Sequence, residues 1–302
     1  MCKYPWQDID TNGENAITKL LRLITKGKKV LEVGCASGYV SKFLSDQLNC
    51  TVVGVEIDPV AAKEAEKYCQ KVIVGDIEKN DFFIHIGAER FDIITFGDVL
   101  EHLRNPISVL KAMRPLLSDD GFILASIPNI AHISVALELL EGKFEYRTLG
   151  LLDDTHIRFF TKKSILAMFR DAGFEIVQWD RVIIKPENTE FKTNLFSYPQ
   201  SLLTFLQDGS EALTYQFIIK AIPCCSNGIR EEPSGQIEMS ALQELRAYIV
   251  EISSRLADKE RQLIDKENQI QAIYNARSWK ITSPLRKLSF LLKKLQNKKR
   301  DE

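Results

Sequence analysis

Residues 30–38 place the strongest constraint on the fold of this chain. They read Val-Leu-Glu-Val-Gly-Cys-Ala-Ser-Gly, and an apolar stretch with helical spacing follows over residues 39–48. The pattern predicts a buried parallel strand that turns sharply into a helix. Gly34 and Gly38 carry no Cβ atom, so the backbone of the turn can approach a ligand closely.

Three more predicted strands follow, and each reaches an acidic residue. The segments 52–59, 72–77 and 91–98 contain short apolar runs followed by Glu56, Asp76 and Asp98, respectively. The carboxyl ends of parallel strands meet at one edge of the sheet, where open α/β sheets bind their ligands. Glu56 lies 18 residues after Gly38, which is the position of an acid that accepts hydrogen bonds from ribose hydroxyls.

The acids at these strand ends also indicate the class of ligand. They suit a molecule with a ribose, a base with an exocyclic amine, and a positive charge. The turn reads Gly-x-x-x-Gly with Glu32 beside it and contains no Lys or Arg. Pyrophosphate binding instead favours Gly-x-Gly-x-x-Gly with bare amides facing the anion. The sequence therefore argues against a dinucleotide such as NAD.

With these motifs in this order, the chain resembles the class I S-adenosylmethionine-dependent methyltransferases. It is most similar to the group of the ubiquinone-biosynthesis O-methyltransferases, over roughly residues 4–183. The resemblance implies an α/β fold with a doubly wound, mostly parallel, seven-stranded Rossmann-like sheet over residues 1–223. Residues 174–185 and 213–222 are its predicted last, antiparallel pair of strands, and residues 186–211 form an insert with a helix near 198–208.

The resemblance also implies that S-adenosylmethionine is the cofactor and assigns residues to it. Glu32, Gly34 and Gly38 would hold its methionine end, and Glu56 its ribose. The remaining expected contacts, to the adenine and its surroundings, are Ile57, Asp76, Ile77 and Asp98. Ala36 replaces the middle glycine of the family, which we expect only to tighten the turn.

Composition agrees with an intracellular globular enzyme. An apolar content of 45% supports a sizeable core, and a net charge of −1 gives no general attraction to nucleic acid. No signal peptide is apparent at the start, and no apolar run approaches the ~20 residues that span a bilayer. The six cysteines show no C-x-x-C and no metal-binding spacing, so we expect reduced thiols in a cytoplasmic protein.

The composition changes after Pro223. Residues 224–235 read as a linker rich in Gly, Pro, Ser and charge. A heptad pattern follows over residues 236–276 and predicts a coiled coil that would form a homodimer. Its a positions are all apolar, but two of its five d positions are Lys259 and Lys266, which would weaken a dimer. A single amphipathic helix is the alternative.

Residues 277–302 form a basic tail with nine positive and two negative charges. Ser283 and Pro284 predict a helix start, and the leucines that follow fall on one face. A basic amphipathic helix suits the anionic surface of the inner membrane, so peripheral membrane contact is one interpretation. A solvated end of the coiled coil is the other main one. We expect no nucleic-acid partner, since no recognised motif accompanies the charge.

Two histidines are candidates for the general base of methyl transfer. His132 follows the predicted fifth strand, and His156 lies in the segment 150–161. Both segments resemble methyltransferases that occur with glycosyltransferases in bacterial polysaccharide clusters. Histidine is suited to remove a hydroxyl proton near neutral pH. Asp153 or Asp154 would orient the imidazole.

A possible metal site lies in Asp98-Val-Leu-Glu101-His102. The ubiquinone-type relatives use a Glu-x-x-Glu-His pattern for a divalent metal, whereas this chain begins the pattern with the shorter Asp98. We therefore expect no metal here, and expect Asp98 to contact the cofactor.

Taken together, the sequence predicts an S-adenosylmethionine-dependent O-methyltransferase that acts on a sugar hydroxyl of a glycan or glycolipid in surface-polysaccharide biosynthesis. A quinone or other small lipid is the alternative acceptor. A non-catalytic adaptor that works through its coiled coil is the alternative of a different class.

Overall fold

The computed structural model of the chain describes residues 8–79, 86–207, 211–224 and 236–275. The chain divides into two compact units between Leu245 and Arg246. The first holds all seven strands described below. Most of the predicted linker and the whole basic tail lie outside the described residues.

Strands and helices alternate through most of the first unit, as the spacing of apolar runs predicts. The strands are β1 Lys29–Val33, β2 Thr51–Glu56, β3 Lys71–Val74, β4 Phe91–Gly97, β5 Leu117–Pro128, β6 Phe174–Ile183 and β7 Thr214–Pro223. The described helices are α1 Ala16–Leu21, α2 Tyr39–Leu48, α3 Pro59–Ala65, α4 Pro106–Met113, α5 Ile133–Leu140, α6 Lys162–Asp171, α7 Gln200–Gln207 and α8 Gln236–Asn275. The predicted helix near 198–208 is thus confirmed as α7.

The strands form one sheet in the order β3-β2-β1-β4-β5-β7-β6. β1 to β5 pair in parallel, whereas β7 runs antiparallel to both β5 and β6. This confirms the predicted seven-stranded, mostly parallel sheet with an antiparallel last pair. The strand order reverses between β1 and β4, and ligands bind at such a point, outside the carboxyl ends of the strands.

Two apolar layers cover the faces of the sheet. Neighbouring residues of β1 belong to different layers: Leu31 packs in the cluster that contains Phe96 and Phe217, and Val30 in the one that contains Ile93. Because successive side chains of a strand point to opposite faces, a strand covered on both faces reads as a continuous apolar run. This explains why residues 30–33 lack a period-two pattern.

The helix α6 shows how local sequence sets an element boundary. Thr161 is its N-cap: the Thr161 side chain accepts from the amide of Ser164, and the Ser164 hydroxyl accepts from the amide of Thr161. This reciprocal pair is a capping box, which satisfies two backbone donors at the helix start. The helix ends before Gly173, which has a φ of 82° and suits the left-handed residue that follows a helix.

The second unit is described as part of one helix. α8 covers 40 residues, Gln236–Asn275, which includes most of the predicted heptad segment. Leu263 and Ile270, at predicted a positions, are 60% and 51% exposed. The helix is therefore present, whereas pairing of two copies stays a prediction. None of the helices in the described ranges is long and apolar enough to cross a membrane.

We predict that Gly121→Ala strongly destabilises the sheet, whereas Gly97→Ala does not. A Cβ atom at Gly121 would lie 2.9 Å from three backbone atoms, in Phe91 and Ser118, whereas one at Gly97 would meet nothing within 4 Å. Overpacking against backbone that cannot rotate away is expected to lower the free energy of unfolding by about 2 kcal/mol or more. Urea denaturation of the two variants measures the difference, and equal midpoints would contradict the prediction.

Candidate active site

A cavity of about 1130 Å³ opens at the carboxyl ends of β1, β2, β3, β4 and β5. It is larger than the ~300–1,000 Å³ typical of a pocket for one small molecule. Glu56, Asp76 and Asp98 follow or end strands and line it, and we call these three residues the acidic wall. The segment around His156 also lines the cavity. The residues from the strand ends include Gly34, Ala36, Glu56, Ile57, Gly75, Asp76, Ile77, Gly97 and Asp98. The volume therefore has room for a cofactor and an acceptor together.

The turn after β1 adopts left-handed backbone at three positions. Gly34, Ala36 and Gly38 have φ values of 73°, 46° and 84°. A Cβ atom at Gly34 would come within 2.6 Å of Val99 Cγ2, and one at Gly38 within 2.8 Å of the Ala65 Cα. The two predicted glycines are thus required by close packing as well as by backbone conformation.

Ala36 occupies a backbone conformation that alanine adopts at a cost of roughly 1–2 kcal/mol. Its amide is held there because it donates to Glu56 Oε2 at 2.8 Å. Replacement of the family's middle glycine thus does more than tighten the turn, since it leaves a strained residue at the edge of the cavity.

Glu56 fixes the turn and also faces the cavity. Its Oε2 accepts from the Ala36 amide, and its Oε1 accepts from the Asp58 amide at 2.9 Å. The side chain is 9% exposed and lines the cavity. A carboxylate has about four acceptor sites, so Glu56 can also accept from the hydroxyls of a bound ribose, as the sequence predicts.

Glu32 lies behind the turn. Glu32 is not one of the described residues that line the cavity. Its carboxylate is buried and accepts a hydrogen bond from the Ser41 hydroxyl of α2. Burial raises the pKa of Glu32 to about 8. The geometry therefore gives Glu32 a supporting position under the turn, and the direct cofactor contact expected from the resemblance stays a prediction.

Of the other expected cofactor residues, all but Gly38 line the cavity. Asp76 is half-buried and its Oδ1 accepts from the Glu78 amide at 3.0 Å. Ile77 is buried, whereas Ile57 is 67% exposed on the cavity wall. A large exposed apolar side chain at a cavity suits the face of a base.

Asp98 has a φ of 53°, so it too lies in the left-handed region. Its Oδ1 accepts from Ser126 Oγ at 2.7 Å and from Gln216 Nε2 at 2.8 Å. The amide of Asp98 donates to the same Ser126 hydroxyl at 3.0 Å. The carboxylate is therefore held in place by β5 and β7 where it lines the cavity.

The residues present fit the S-adenosylmethionine that the resemblance implies. Glu56, Asp76 and Asp98 provide negative charge for a cationic ligand and acceptors for hydroxyl or amine donors. Gly75 and Gly97 leave open space on the same wall, since a Cβ atom added to either would meet nothing within 4 Å. Ile57 and Ile77 add apolar surface for a flat base.

His132 has a structural position. It is fully buried and is not one of the described residues that line the cavity. It is the N-cap of α5: its Nδ1 accepts from the Ser134 amide at 3.2 Å, and its Nε2 donates to Ile184 O at 2.9 Å. Burial lowers the pKa of His132 to about 4. With both nitrogens bonded to backbone, the geometry argues against its expected role as general base.

His156 does line the cavity. Its Nδ1 lies 3.2 Å from the carbonyl oxygen of Leu151. A carbonyl accepts only, so Nδ1 carries the proton and Nε2 is left as the basic nitrogen. A backbone carbonyl thus orients the ring, a role expected of Asp153 or Asp154. Burial, then the neighbouring His102, lowers the pKa of His156.

Asp153 acts on this histidine through the loop. Its Oδ1 accepts from the amide and the hydroxyl of Thr155, at 2.8 and 2.6 Å. The His156 amide donates to Asp153 O at 3.0 Å. The carboxylate thus shapes the turn that carries His156.

Glu101, His102 and His156 form a cluster in which each offers a ligand atom within 4.8 Å of the others. The rings of His102 and His156 meet edge to face with centroids 4.8 Å apart. Glu101 is 1% exposed, and neither of its carboxylate oxygens has a hydrogen-bond partner. Burial raises the pKa of Glu101 well above its usual value, so the neutral acid is favoured.

The cluster differs from the sequence pattern of the relatives. His156, contributed by a segment 54 residues after His102, joins Glu101 and His102. Two imidazoles and one carboxylate at this spacing fit a divalent cation such as Zn²⁺. The expectation that the site takes no metal therefore remains a prediction for experiment.

Several cavity residues were not foreseen from the sequence. Tyr215 and Gln216 of β7 line the cavity, and Tyr215 donates to Glu190 Oε2 at 2.9 Å. Glu190 in turn accepts from the Leu151 amide at 2.6 Å and thereby holds the segment that carries His156. No local motif marks these residues, because they come from the antiparallel end of the sheet and from the 186–211 insert.

Comparison with known proteins agrees with the fold. A methyltransferase domain model matches residues 10–179. A ubiquinone biosynthesis O-methyltransferase of Glaesserella parasuis serovar 5 (strain SH0165) is 28% identical over 156 residues, 49% of this chain and 66% of that protein. One from Actinobacillus pleuropneumoniae serotype 7 (strain AP76) is 34% identical over 131 residues, 41% of this chain and 55% of that protein.

A solved structure shows the same fold. It is a SAM-dependent methyltransferase from Archaeoglobus fulgidus, with a TM-score of 0.50, 15% identity, and coverage of 68% of this chain and 90% of that chain. The chain spans 66% and 55% of the length of the two curated relatives named above.

We predict that Glu56→Gln weakens binding of S-adenosylhomocysteine by roughly 10- to 100-fold, since the amide keeps one acceptor oxygen for two backbone donors and loses the charge. Isothermal titration calorimetry measures the affinity. Glu66→Gln is the matched control, because Glu66 pairs with Lys63 on an exposed helix face. Equal affinities for the two variants would contradict the placement of the cofactor.

Proposed function

The methyltransferase domain model covers more than half of the chain, so the chain belongs to that family, and we propose that it methylates a hydroxyl oxygen of an acceptor with an aromatic or lipid character. Its cofactor is S-adenosylmethionine. The single observation that carries the acceptor proposal is a continuous run of ring contacts that leads from His156 to the protein surface.

The run of ring contacts consists of four edge-to-face pairs. His102 and His156 have centroids 4.8 Å apart, His156 and Phe159 are 6.3 Å apart, and Phe159 and Phe144 are 5.9 Å apart. The last pair, Phe144 and Tyr146, is 5.6 Å apart. Such geometry is favourable between aromatic rings. Aromatic surface therefore extends from the candidate base outward without a break.

The outer end of this surface is exposed and apolar. Phe144 and Tyr146 are 42% and 56% exposed, and Leu149, which lines the cavity, is 58% exposed. Contiguous exposed apolar surface marks an interaction site. It suits an acceptor whose ring enters the cavity while an apolar chain lies outside. The curated relatives are named for ubiquinone biosynthesis, which supports the same class of acceptor.

The reaction requires alignment and removal of one proton. When bound, S-adenosylmethionine supplies an electrophilic methyl group on a sulfonium centre. Glu56 and Asp76 bind and orient the cofactor. Asp98 adds a third carboxylate to the acidic wall, and its bonds to Ser126 and Gln216 hold it in position. Holding two reactants in line is a large part of such catalysis. His156 Nε2 accepts the hydroxyl proton, because Leu151 O keeps the proton of this imidazole on Nδ1.

Glu101 lies in the same cluster as the two histidines. Burial favours its neutral form, so it adds no buried charge there. If the cluster instead holds a divalent cation, Glu101, His102 and His156 are the residues that would bind it. The metal would then lower the pKa of an acceptor hydroxyl.

The acceptor class can be tested with radiolabelled S-adenosylmethionine in a host-cell extract. We expect label in the quinone and lipid fraction with the wild-type chain and loss of that label with Asp76→Ala. Label that partitions into glycan or glycolipid would instead support the sugar acceptor predicted from the segments around His132 and His156. No label, together with no binding of S-adenosylhomocysteine, would support a non-catalytic adaptor.

We predict that His156→Asn lowers kcat by roughly 100- to 10,000-fold, the usual contribution of a general base, and leaves S-adenosylhomocysteine affinity unchanged. His132→Asn is the matched control: it should lower the melting temperature but retain the activity per folded molecule. Because burial lowers the pKa of His156, its imidazole stays neutral to a lower pH than a free histidine does. The midpoint of the acid limb of kcat/KM should therefore lie below pH ~6.5, the usual pKa of histidine. Methyl-transfer assays at a series of pH values measure both the loss of kcat and the pH dependence of kcat/KM.

Two results would change this assignment. An acid limb that persists in His156→Asn would show that another group is titrating. Activity that is lost on treatment with a chelator and returns with Zn²⁺ or Mn²⁺ would assign the cluster of Glu101, His102 and His156 to a metal.

We also propose that α8 forms a homodimer by coiled-coil pairing. Leu263, Ile270 and Ile273 follow the heptad and are each more than half exposed in the single chain, which supports burial against a second copy. The lysines at two d positions limit the expected affinity.

The dimer proposal predicts a sedimentation mass of about twice the 34.4 kDa of one chain, falling to one chain mass when Leu263 and Ile270 are both replaced by Asp. Ser254→Asp with Asn268→Asp is the control, since both lie at f positions of the same helix. Equal masses for all three proteins would reject the dimer.

A further inference from the structure

Two cysteine sulfurs lie close together directly beneath the cofactor turn. A Cβ atom placed on Gly54 would lie 2.7 Å from Cys35 Sγ and 3.2 Å from Cys69 Sγ. Cys35 belongs to the turn after β1, and Cys69 lies between α3 and β3. Gly54, in the intervening strand β2, provides the space because it has no side chain. Both thiols are free.

The pair is connected to an acid through one hydroxyl. Cys69 Sγ donates to Ser41 Oγ at 3.1 Å, and Ser41 Oγ donates to a carboxylate oxygen of Glu32 at 2.5 Å. The Cys35 thiol donates to the sulfur of Cys69, which lowers the pKa of Cys69 and raises that of Cys35. A thiol with a lowered pKa is the one that reacts with oxidants.

Access to the two sulfurs also differs. Cys69 is partly exposed, whereas Cys35 is only 1% exposed. An oxidant that arrives from solvent therefore reaches Cys69 first. The arrangement of a reactive, accessible thiol beside a second thiol is typical of cysteines that form reversible disulfides.

We propose that Cys35 and Cys69 form a reversible disulfide when the protein reacts with a hydroperoxide, and that this bond distorts the turn after β1 and weakens cofactor binding. The effect on the cofactor rests on the proposed function, because it assumes that S-adenosylmethionine binds along the turn after β1. The formation of the disulfide itself does not rest on that function.

The chemistry uses groups that are already in place. Cys69, which is partly exposed, releases its proton to solvent, and the thiolate attacks the terminal oxygen of the hydroperoxide. The O–O bond breaks, Cys69 becomes a sulfenic acid, and the alkoxide or hydroxide that leaves takes up a proton. The sulfur of Cys35 then attacks the Cys69 sulfur, the S–O bond breaks, and water leaves with the Cys35 proton. Two thiols and one hydroperoxide thus give a disulfide, an alcohol or water, and water.

The new bond would act on the turn that faces the cofactor. A disulfide holds its sulfurs about 2.05 Å apart, so Cys35 has to move toward Cys69. Its neighbours are Gly34, packed against Val99, and Ala36, whose strained backbone depends on one hydrogen bond to Glu56. Displacement of Cys35 therefore shifts the amide that positions Glu56, and the ribose side of the cavity is disturbed.

The test uses the full-length reduced chain, treated with hydrogen peroxide and then analysed by peptide mass spectrometry and calorimetry. We expect a peptide that links Cys35 to Cys69 with loss of two hydrogens. Affinity for S-adenosylhomocysteine should fall by roughly tenfold or more, and dithiothreitol should restore it. Cys69→Ser should bind S-adenosylhomocysteine with or without peroxide. Cys50→Ser, which removes a buried cysteine elsewhere, should respond to peroxide as the wild type does.

Any of the following results would overturn the proposal or one of its parts. Oxidation of Cys69 to sulfinic acid without a link would show that Cys35 cannot reach it. A link that leaves the affinity unchanged would show that the turn tolerates the bond. A reduced protein that does not bind S-adenosylhomocysteine would reject the cofactor site together with the effect of the switch, whereas a binding protein that forms no link rejects the switch alone.

Discussion

The hydrogen bond from the Ala36 amide to Glu56 is the contact on which the cavity depends. It joins the turn after β1 to the end of β2 and holds Ala36 at a φ of 46°. Charge assistance makes such a bond stronger than one between neutral groups, which offsets the strain of a left-handed alanine. The same carboxylate also accepts from the Asp58 amide, at the start of α3. One side chain thus orders the turn after β1 and the start of α3, and both segments border the cavity.

Charge in the cavity is separated into two regions. The wall formed by Glu56, Asp76 and Asp98 is acidic. On the other side, burial favours the neutral forms of Glu101 and His156. If His156 accepts the hydroxyl proton as proposed, its neutral form is the basic one. Desolvation of the histidine cluster favours that form without a further charged residue.

The parallel part of the sheet and its acidic edge could be predicted, because each strand end combines an apolar run with an acid or glycine that the chain order brings to one edge. Position along a strand is readable, but the direction of a side chain is not when both faces are covered. Glu32 shows this, since its carboxylate faces Ser41 behind the turn. His132 shows a related limit: its place after β5 is as predicted, but its capping of α5, which argues against a catalytic role, could not be read from the sequence.

Contacts between distant segments could not be predicted from the sequence. The pairing of Asp98 with Gln216 crosses 118 residues, and the contact of His102 with Thr155 crosses 53. Both depend on β7 and on loops that carry no periodic signal. The strand β7 lies between β5 and β6 in the sheet although it comes last in the chain.

The late position of β7 has a consequence for biosynthesis. A growing chain emerges from its amino end, so the wall that bears Glu56, Asp76 and Asp98 leaves the ribosome well before Tyr215 and Gln216. Until β7 inserts, β5 has an open edge and the His156 loop lacks the tyrosine that bonds Glu190. The acidic residues of the cavity are therefore synthesised first, and the part of the lining that β7 contributes is among the last parts of the first unit to leave the ribosome.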